Sequence, residues 1–386
     1  MKMKKLLATL LAGTMLVGLL AACGDKPGNE TQNPVETKDT ERTEPYKLGY
    51  VDMSSYGATF QAVAKDLEDM CKAANIELVP VQIGGGGSDG MATAYENMIN
   101  MGIDGVLASS SSEGQVRLMA DLFEENDVDW FLVNRRLSDP ELEEYVFSQS
   151  KLVGNEFCYE EDTAYEVVKR LHEDHGVKNL AVIGLTLGDA AGDLRDKGIA
   201  KACEEFGIKM LTETRGIVSA SDVTNAVEGI ISSYPEVDGI FIVGGLVTNG
   251  ALAGANQALV NHNMQDKVAI GMIDIAAGME EYMGEGKPLK VVAGGNLVMD
   301  WVIAGACMIN NVMGVNTDET PYKLNTRMMF ITNPEDAADY SVYYENPNVP
   351  MLSGEQWNET LLGKDLETIQ AFIDNYSLDY ARSMSK

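Results

Sequence analysis

From Tyr46 onward the chain alternates short runs of consecutive apolar residues with longer stretches in which apolar positions recur every three or four residues. A short unbroken apolar run suits a strand covered on both faces, and the longer period suits an amphipathic helix. Their regular alternation predicts βαβ units around parallel sheets, an α/β fold. Strands are expected at 47–51, 77–82, 105–108, 130–133 and 146–148, and again at 180–184, 209–214, 239–243, 268–272 and 290–293. Helices fill the gaps, among them 58–74, 190–206 and 297–313. Two such series predict two sheets.

The two series also repeat each other. "NIELVPVQ" followed by "SDGMATAYENMINMGIDGVLA" parallels "GIKMLTET" followed by "SDVTNAVEGIISSYPEVDGIFI": strand, loop, Ser-Asp, helix, Asp-Gly, strand. This repeat decides how "GGGGSDG" is read. Gly85, Gly87 and Gly90 have the spacing of a dinucleotide-binding loop, and Gly86, Ser88 and Gly90 that of a hydrolase nucleophile elbow. The second copy keeps Ser221-Asp222 in its place but has a single glycine in the loop. What the copies share is a short polar residue suited to cap a helix start, so Ser88 or Asp89 reads as a cap and the glycines as a turn. A dinucleotide loop would follow the first strand of its unit, with an acid about 20 residues on. Here the glycines follow the second strand, and no histidine is evidently placed to activate Ser88. A Ser88 hydrolase is left as a remote alternative.

The N-terminus changes the picture. "MKMKK", an apolar run to Ala22 and "LAACG" have the layout of a secretory signal over 1–22. The cysteine resembles that of a bacterial lipobox, which makes Cys23 the lipidated first residue of the mature chain; the alternative is an ordinary signal cleaved after Ala22. Residues 23–44 hold one strong apolar residue, Val35, and read as a disordered tether. The formal net charge of −30 excludes nucleic acid as a partner, and loss of the leader lysines makes the chain more negative still. Cys71, Cys158, Cys203 and Cys307 show neither CxxC nor Cys/His spacing, so no metal or cofactor is expected. The remaining length suits two cores.

In order along the chain, "YKLGYVDMSS", "VNRR", "LRDKGI", "VDGIFIVGG" and "VAGGNLV" resemble the sugar-binding periplasmic binding proteins, relatives of the ribose- and galactose-binding proteins that feed ABC transporters. The resemblance runs from about Tyr46 to about Asn333. It implies two tandem doubly wound parallel-sheet lobes joined by a three-crossing hinge, with the ligand between them. The N-terminal lobe would take 45–152 plus 297–325 and the C-terminal lobe 153–296. The chain would leave the first lobe near 151–155, return near 294–298, and send a further strand across near 323–333. Residues 334–386 would be an extension packing on a lobe, with a docking surface for a partner protein as the alternative.

The same resemblance implies the contacts. Asn134 and Arg135 match the Asp-Arg pair that ends the fourth strand, with Arg136 turned to solvent. Arg195 matches the Arg of R-x-x-G, reaching the ligand from the other lobe, and Asn296 matches an amide after "VAGG". Phe60 matches an aromatic that stacks on a sugar ring, with Tyr56 as a second. Asp274 stands one place late relative to the family's Gly-x-Asp. Gly244-Gly245 replaces an Asn-Asp, so the pocket is expected to have lost carboxylates while keeping Arg135 and Arg195. That makes an anionic polyol an alternative to a neutral sugar. The implied role is not enzymatic: a monomeric lipoprotein, held to the membrane through Cys23, captures its ligand for an ABC permease complex. A sensory lipoprotein of the same fold reporting to a membrane receptor is the alternative.

Overall fold

The computed structural model describes residues 44–83, 88–110, 112–217, 219–244, 250–276 and 278–384. The leader, Cys23, nearly all of the tether, the glycines at 84–87, Gly245 and the side chains of Tyr56, Ser88 and Asp89 lie outside the described residues.

The first sheet is fed by β1 (Lys47–Asp52), α1 (Ala58–Ala73), β2 (Glu77–Gln82), α2 (Ser88–Asn100), β3 (Gly105–Ala108), α3 (Glu113–Glu125), β4 (Asp129–Leu132), α4 (Pro140–Phe147) and β5 (Leu152–Cys158). The second is fed by α5 (Glu160–Glu173), β6 (Asn179–Ile183), α6 (Ala190–Phe206), β7 (Lys209–Thr214), α7 (Ala220–Ser233), β8 (Gly239–Ile242), α8 (Ala251–Asn261), β9 (Ala269–Ile273) and β10 (Leu289–Gly294). Then follow α9 (Asn296–Val312), β11 (Tyr322–Thr326), β12 (Met329–Ile331), α10 (Pro334–Tyr343), α11 (Glu355–Thr360), α12 (Leu366–Asn375) and α13 (Leu378–Met384). The strand orders are β11-β5-β4-β3-β1-β2 and β12-β10-β9-β8-β6-β7. All pairings are parallel except β10 with β12. β3, β8 and β9 are buried along their whole length, which is why they read as unbroken apolar runs.

Three expectations need correction. Residues 146–148 are not a strand: Asp139 caps α4 by accepting from the Glu141 N–H, Pro140 occupies its first turn, and Leu142 and Val146 are one buried helical stripe. The fifth strand is β5, which pairs with β4 and β11 in the first sheet. The first crossing therefore follows Cys158, six residues beyond the boundary expected at 152, because β5 needs two neighbours of the first sheet to satisfy its backbone. In the second repeat the cap is Ser219, whose side chain accepts from the Asp222 N–H at 3.2 Å; Ser221 and Asp222 already lie inside α7.

The chain recrosses between Gly294 and Asn296, where β10 ends in the second sheet and α9 begins against α1. It crosses again between β11 in the first sheet and β12 in the second. The extension does not keep to one lobe. α10 packs on a 3-10 turn at Met279–Tyr282 of the second lobe, α11 on α1 and α12 on β11 of the first. Trp357 is fully buried and its Nε1–H donates to Asp69 Oδ2 at 2.9 Å, while Asn310 Nδ2 of α9 donates to the Leu361 carbonyl at 3.0 Å. Burying aromatic surface across both lobes gives this segment its order.

Candidate functional site

The carboxyl ends of the two sheets supply the site. After β4 the chain turns at Asn134 (φ 49°), and after β9 at Asp274 (φ 72°), left-handed conformations that Asn and Asp tolerate better than other side chains. The Asn134 N–H donates to Glu156 Oε1 of β5, and the Arg135 N–H to the Glu156 carbonyl at 3.1 Å. Asn155 Nδ2 donates to the Arg135 carbonyl at 2.9 Å. The loop after β4 is thus tied down by β5, the strand that the apolar pattern misplaced.

From the other lobe, α6 begins at the Asp189 cap, whose side chain accepts from the Gly192 N–H at 2.8 Å. Gly198 lies where a Cβ would stand 2.0 Å from the Glu161 carbonyl, so only glycine lets α6 rest this closely on α5. One turn earlier, that approach brings Arg195 to Glu160 at the start of α5. Arg195 Nε donates to Glu160 Oε2 at 2.7 Å, Nη1 donates to the Val243 carbonyl at 2.6 Å, and Nη1 stands 3.6 Å from Asp274 Oδ2. Burial alone would lower the Arg195 pKa, but Glu160 and Asp274 hold it above its ordinary value. Burial pushes Glu160 up more than Arg195 draws it down. The two tendencies oppose each other; a guanidinium does not give up its proton, and at 2.7 Å the pair is ionic.

A cavity of about 240 Å³ opens between these elements. Phe60, Asn134, Arg135, Arg195, Asp274 and Asn296 all line it, so the six residues singled out from the sequence converge on one space. Phe60 is half-buried at the start of α1, and Arg136, expected in solvent, is exposed at the rim with its guanidinium 5.6 Å from the centre of the Phe157 ring. The Nη2 of Arg135 donates to the Ser110 carbonyl, and its Nε is buried without a hydrogen-bond partner among the described residues. Burial lowers the Arg135 pKa, with Asp189, Glu160, Glu113 and Glu156 opposing.

The expectation that lost carboxylates leave the pocket with a positive bias does not match the lining. Glu160 and Asp189 line the cavity with Asp274, so three acids face Arg135, Arg136 and Arg195 and the formal charges cancel. The charge imbalance that suggested an anionic ligand does not exist. Leu185, Leu194 and Phe157 add an apolar wall. Glu160, Asp189, Leu185 and Phe157 lie outside the matched motifs, which is why sequence reasoning missed them; Leu194 stands inside "LRDKGI", next to Arg195. The one available signal was position: Glu160 and Asp189 each stand at the start of a helix that follows a strand.

Behind the cavity the three crossings meet in a buried carboxyl pair. Glu156 of β5 and Asp300 of α9 are both fully buried, and Oγ1 of Thr326, the last residue of β11, stands 2.6 Å from Asp300 Oδ1 and 3.3 Å from Glu156 Oε2. Asn296 Nδ2 donates to Asp300 Oδ2 at 3.1 Å, joining the pair to the cavity wall. Burial, and for Glu156 the charge of Asp300, raise both pKa values, so the pair retains a proton at neutral pH. Gly295, at φ 92°, forms the second crossing; its carbonyl accepts from the Tyr344 hydroxyl, and a Cβ there would lie 2.9 Å from Met329 Cε.

Comparison with known proteins places the geometry in context. The periplasmic binding protein domain matches residues 50–295. No curated protein matches the chain. Among solved structures, the substrate-binding protein of a sugar ABC transport system from Bordetella parapertussis is 17% identical, with a TM-score of 0.64 over 82% of this chain and 96% of that one. A solute-binding protein from Actinobacillus succinogenes with bound D-allose is 18% identical, with a TM-score of 0.64 over 77% and 100%. A 5-methylthioribose transporter solute-binding protein from Thermotoga lettingae is 15% identical, with a TM-score of 0.62 over 87% and 96%. Likeness at these identities is a likeness of fold.

Proposed function

The chain belongs to the periplasmic binding protein domain family, and on that premise we propose that it captures a neutral sugar or similar polyol between its lobes and delivers it unchanged to an ABC importer. The observation that carries this reading is the convergence of Phe60, Asn134, Arg135, Arg195, Asp274 and Asn296 on one charge-balanced cavity. Amide, guanidinium and carboxylate groups supply both donors and acceptors, which hydroxyl-rich molecules need, and the apolar wall suits the C–H face of a ring. The volume fits a ligand of monosaccharide size. Closure would be a rotation about the three crossings, with Asn134 and Arg135 moving against Arg195. Family membership puts the site of action outside the cytoplasm, and the lipobox-like "LAACG" supports attachment through a lipid on Cys23, with the polar segment after it as a tether.

The test is calorimetry and thermal-shift screening of the mature chain against neutral aldoses, D-allose, 5-methylthioribose and matching aldonates. A bound ligand raises the unfolding midpoint by mass action. Saturable binding of a neutral member with no acid bound supports the reading; binding confined to aldonates, or to no polyol at all, overturns it.

A further inference from the structure

Glu345 comes from the extension, fifty residues beyond the matched domain, yet it reaches the cleft. Together with Thr59, Asp274, Gly295, Asn296 and Tyr340 it encloses a second cavity of about 10 Å³, which shares Asp274, Asn296 and Leu297 with the larger one. That is room for a single water-sized group. Glu345 is 5% exposed, and its Oε1 is buried with no hydrogen-bond partner among the described residues. A buried carboxyl oxygen left unpaired beside a polar cavity is costly unless something occupies that space.

We propose that the extension completes the ligand site: Glu345 and Asp274 form a subsite for one hydroxyl group of the bound polyol, and so set which polyol is accepted. The proposal rests on the sugar-binding reading above and deepens it. The two carboxyl groups divide the work. Asp274 is held by Arg195 and accepts a hydrogen bond from the ligand hydroxyl; Glu345 has no cation beside it among the described residues, and burial, then the charge of Asp274, push its pKa up to about 8. At neutral pH Glu345 is therefore a protonated donor. A hydroxyl is both donor and acceptor and satisfies the two at once. The other groups around Glu345 are the Tyr340 and Tyr344 phenols of the extension, both raised by burial, and the neutral Asn296 and Thr59; Arg195 and Asp300 lie beyond Asp274 and Tyr344.

The experiment starts from whichever polyol the wild-type chain binds and measures its monodeoxy analogues by calorimetry, against wild type, Glu345→Gln and Glu345→Ala. One deoxy analogue should bind wild type about 10–100-fold more weakly than the parent, a penalty that shrinks to within about threefold in Glu345→Ala. Wild-type affinity should be flat below pH 8 and fall about tenfold per pH unit above it, whereas Glu345→Gln, which keeps the size and a donor, should show no such fall. Unfolding of the ligand-free variants checks that each is folded. Unchanged rank order and pH profile in both variants overturn the subsite and leave a water-filled structural cavity, with polyol binding intact. Absence of polyol binding by wild type overturns the underlying reading instead.

Discussion

Two pairs of buried carboxylates stand on either side of the second crossing, and they are neutralised in different ways. Glu160 and Asp274 face the cavity with the Arg195 guanidinium between them. Glu156 and Asp300 sit behind it with a hydroxyl and a proton between them. Taking two acids out of water costs several kcal/mol each unless a partner is supplied. The guanidinium gives that partner at every accessible pH and presents fixed donors to the cleft. A proton serves only while the solution leaves it there, and it offsets one of the two carboxylate charges at the point where the three crossings meet. The cavity side is thereby held ionic at every accessible pH, whereas the hinge side depends on a retained proton and is sensitive to pH.

Removing the cation is the hardest blow to this contrast. Arg195→Ala leaves Glu160 and Asp274 buried without a counter-charge and should destabilise the fold by about 3–5 kcal/mol in denaturant unfolding. A loss under 1 kcal/mol would show that water already reaches the pair. Next is pH. Glu156 and Asp300 have raised pKa values, and burial lifts Asp66 and Glu345 to about 8. Asp66, Glu345 and the Glu156–Asp300 pair each hold, in the folded state, a proton that the unfolded chain has already released above about pH 4. Stability is therefore fully present below that value and declines as pH rises towards 8, by about 1.4 kcal/mol per pH unit for each such proton. Asp300→Asn should flatten the decline measured by thermal unfolding, and an unchanged slope would remove the hinge pair from the account. Last is Arg135, which bonds the Ser110 carbonyl and leaves its Nε unpaired. Arg135→Ala should change stability by less than about 1 kcal/mol while weakening ligand about 10–100-fold by calorimetry. Equal stability costs for Arg135→Ala and Arg195→Ala would erase the distinction between a guanidinium locked by acids and one left for a ligand.

Much of this arrangement was legible beforehand. Strands such as β3 and β8 are buried on both faces and announce themselves as apolar runs, and the repeated Ser-Asp, helix and Asp-Gly exposed the tandem architecture. The six site residues were legible through the resemblance, because "MSSYGATF", "VNRR", "LRDKGI" and "VAGGNLV" stand in the family's order along the chain. Glu160 and Asp189 were not, since an acid at a helix start has the same local signature whether it caps the helix or lines a cleft. β5 was missed for another reason: "LVGNEFC" carries buried Asn155 and Glu156, which break the apolar run, and their partners lie in the Asn134–Arg135 loop and on Thr326. Glu345 lay in a segment outside every matched motif.

Local patterning by itself determined the α/β class and the two series of strands, because backbone hydrogen bonding and side-chain period act over a few residues. The tertiary structure alone decided which acids share a counter-charge, where the first crossing falls, and that the extension spans both lobes and sends Glu345 to the cleft. Those outcomes depend on burial and on distances between groups far apart in the chain, and an electrostatic pairing has no local period to betray it.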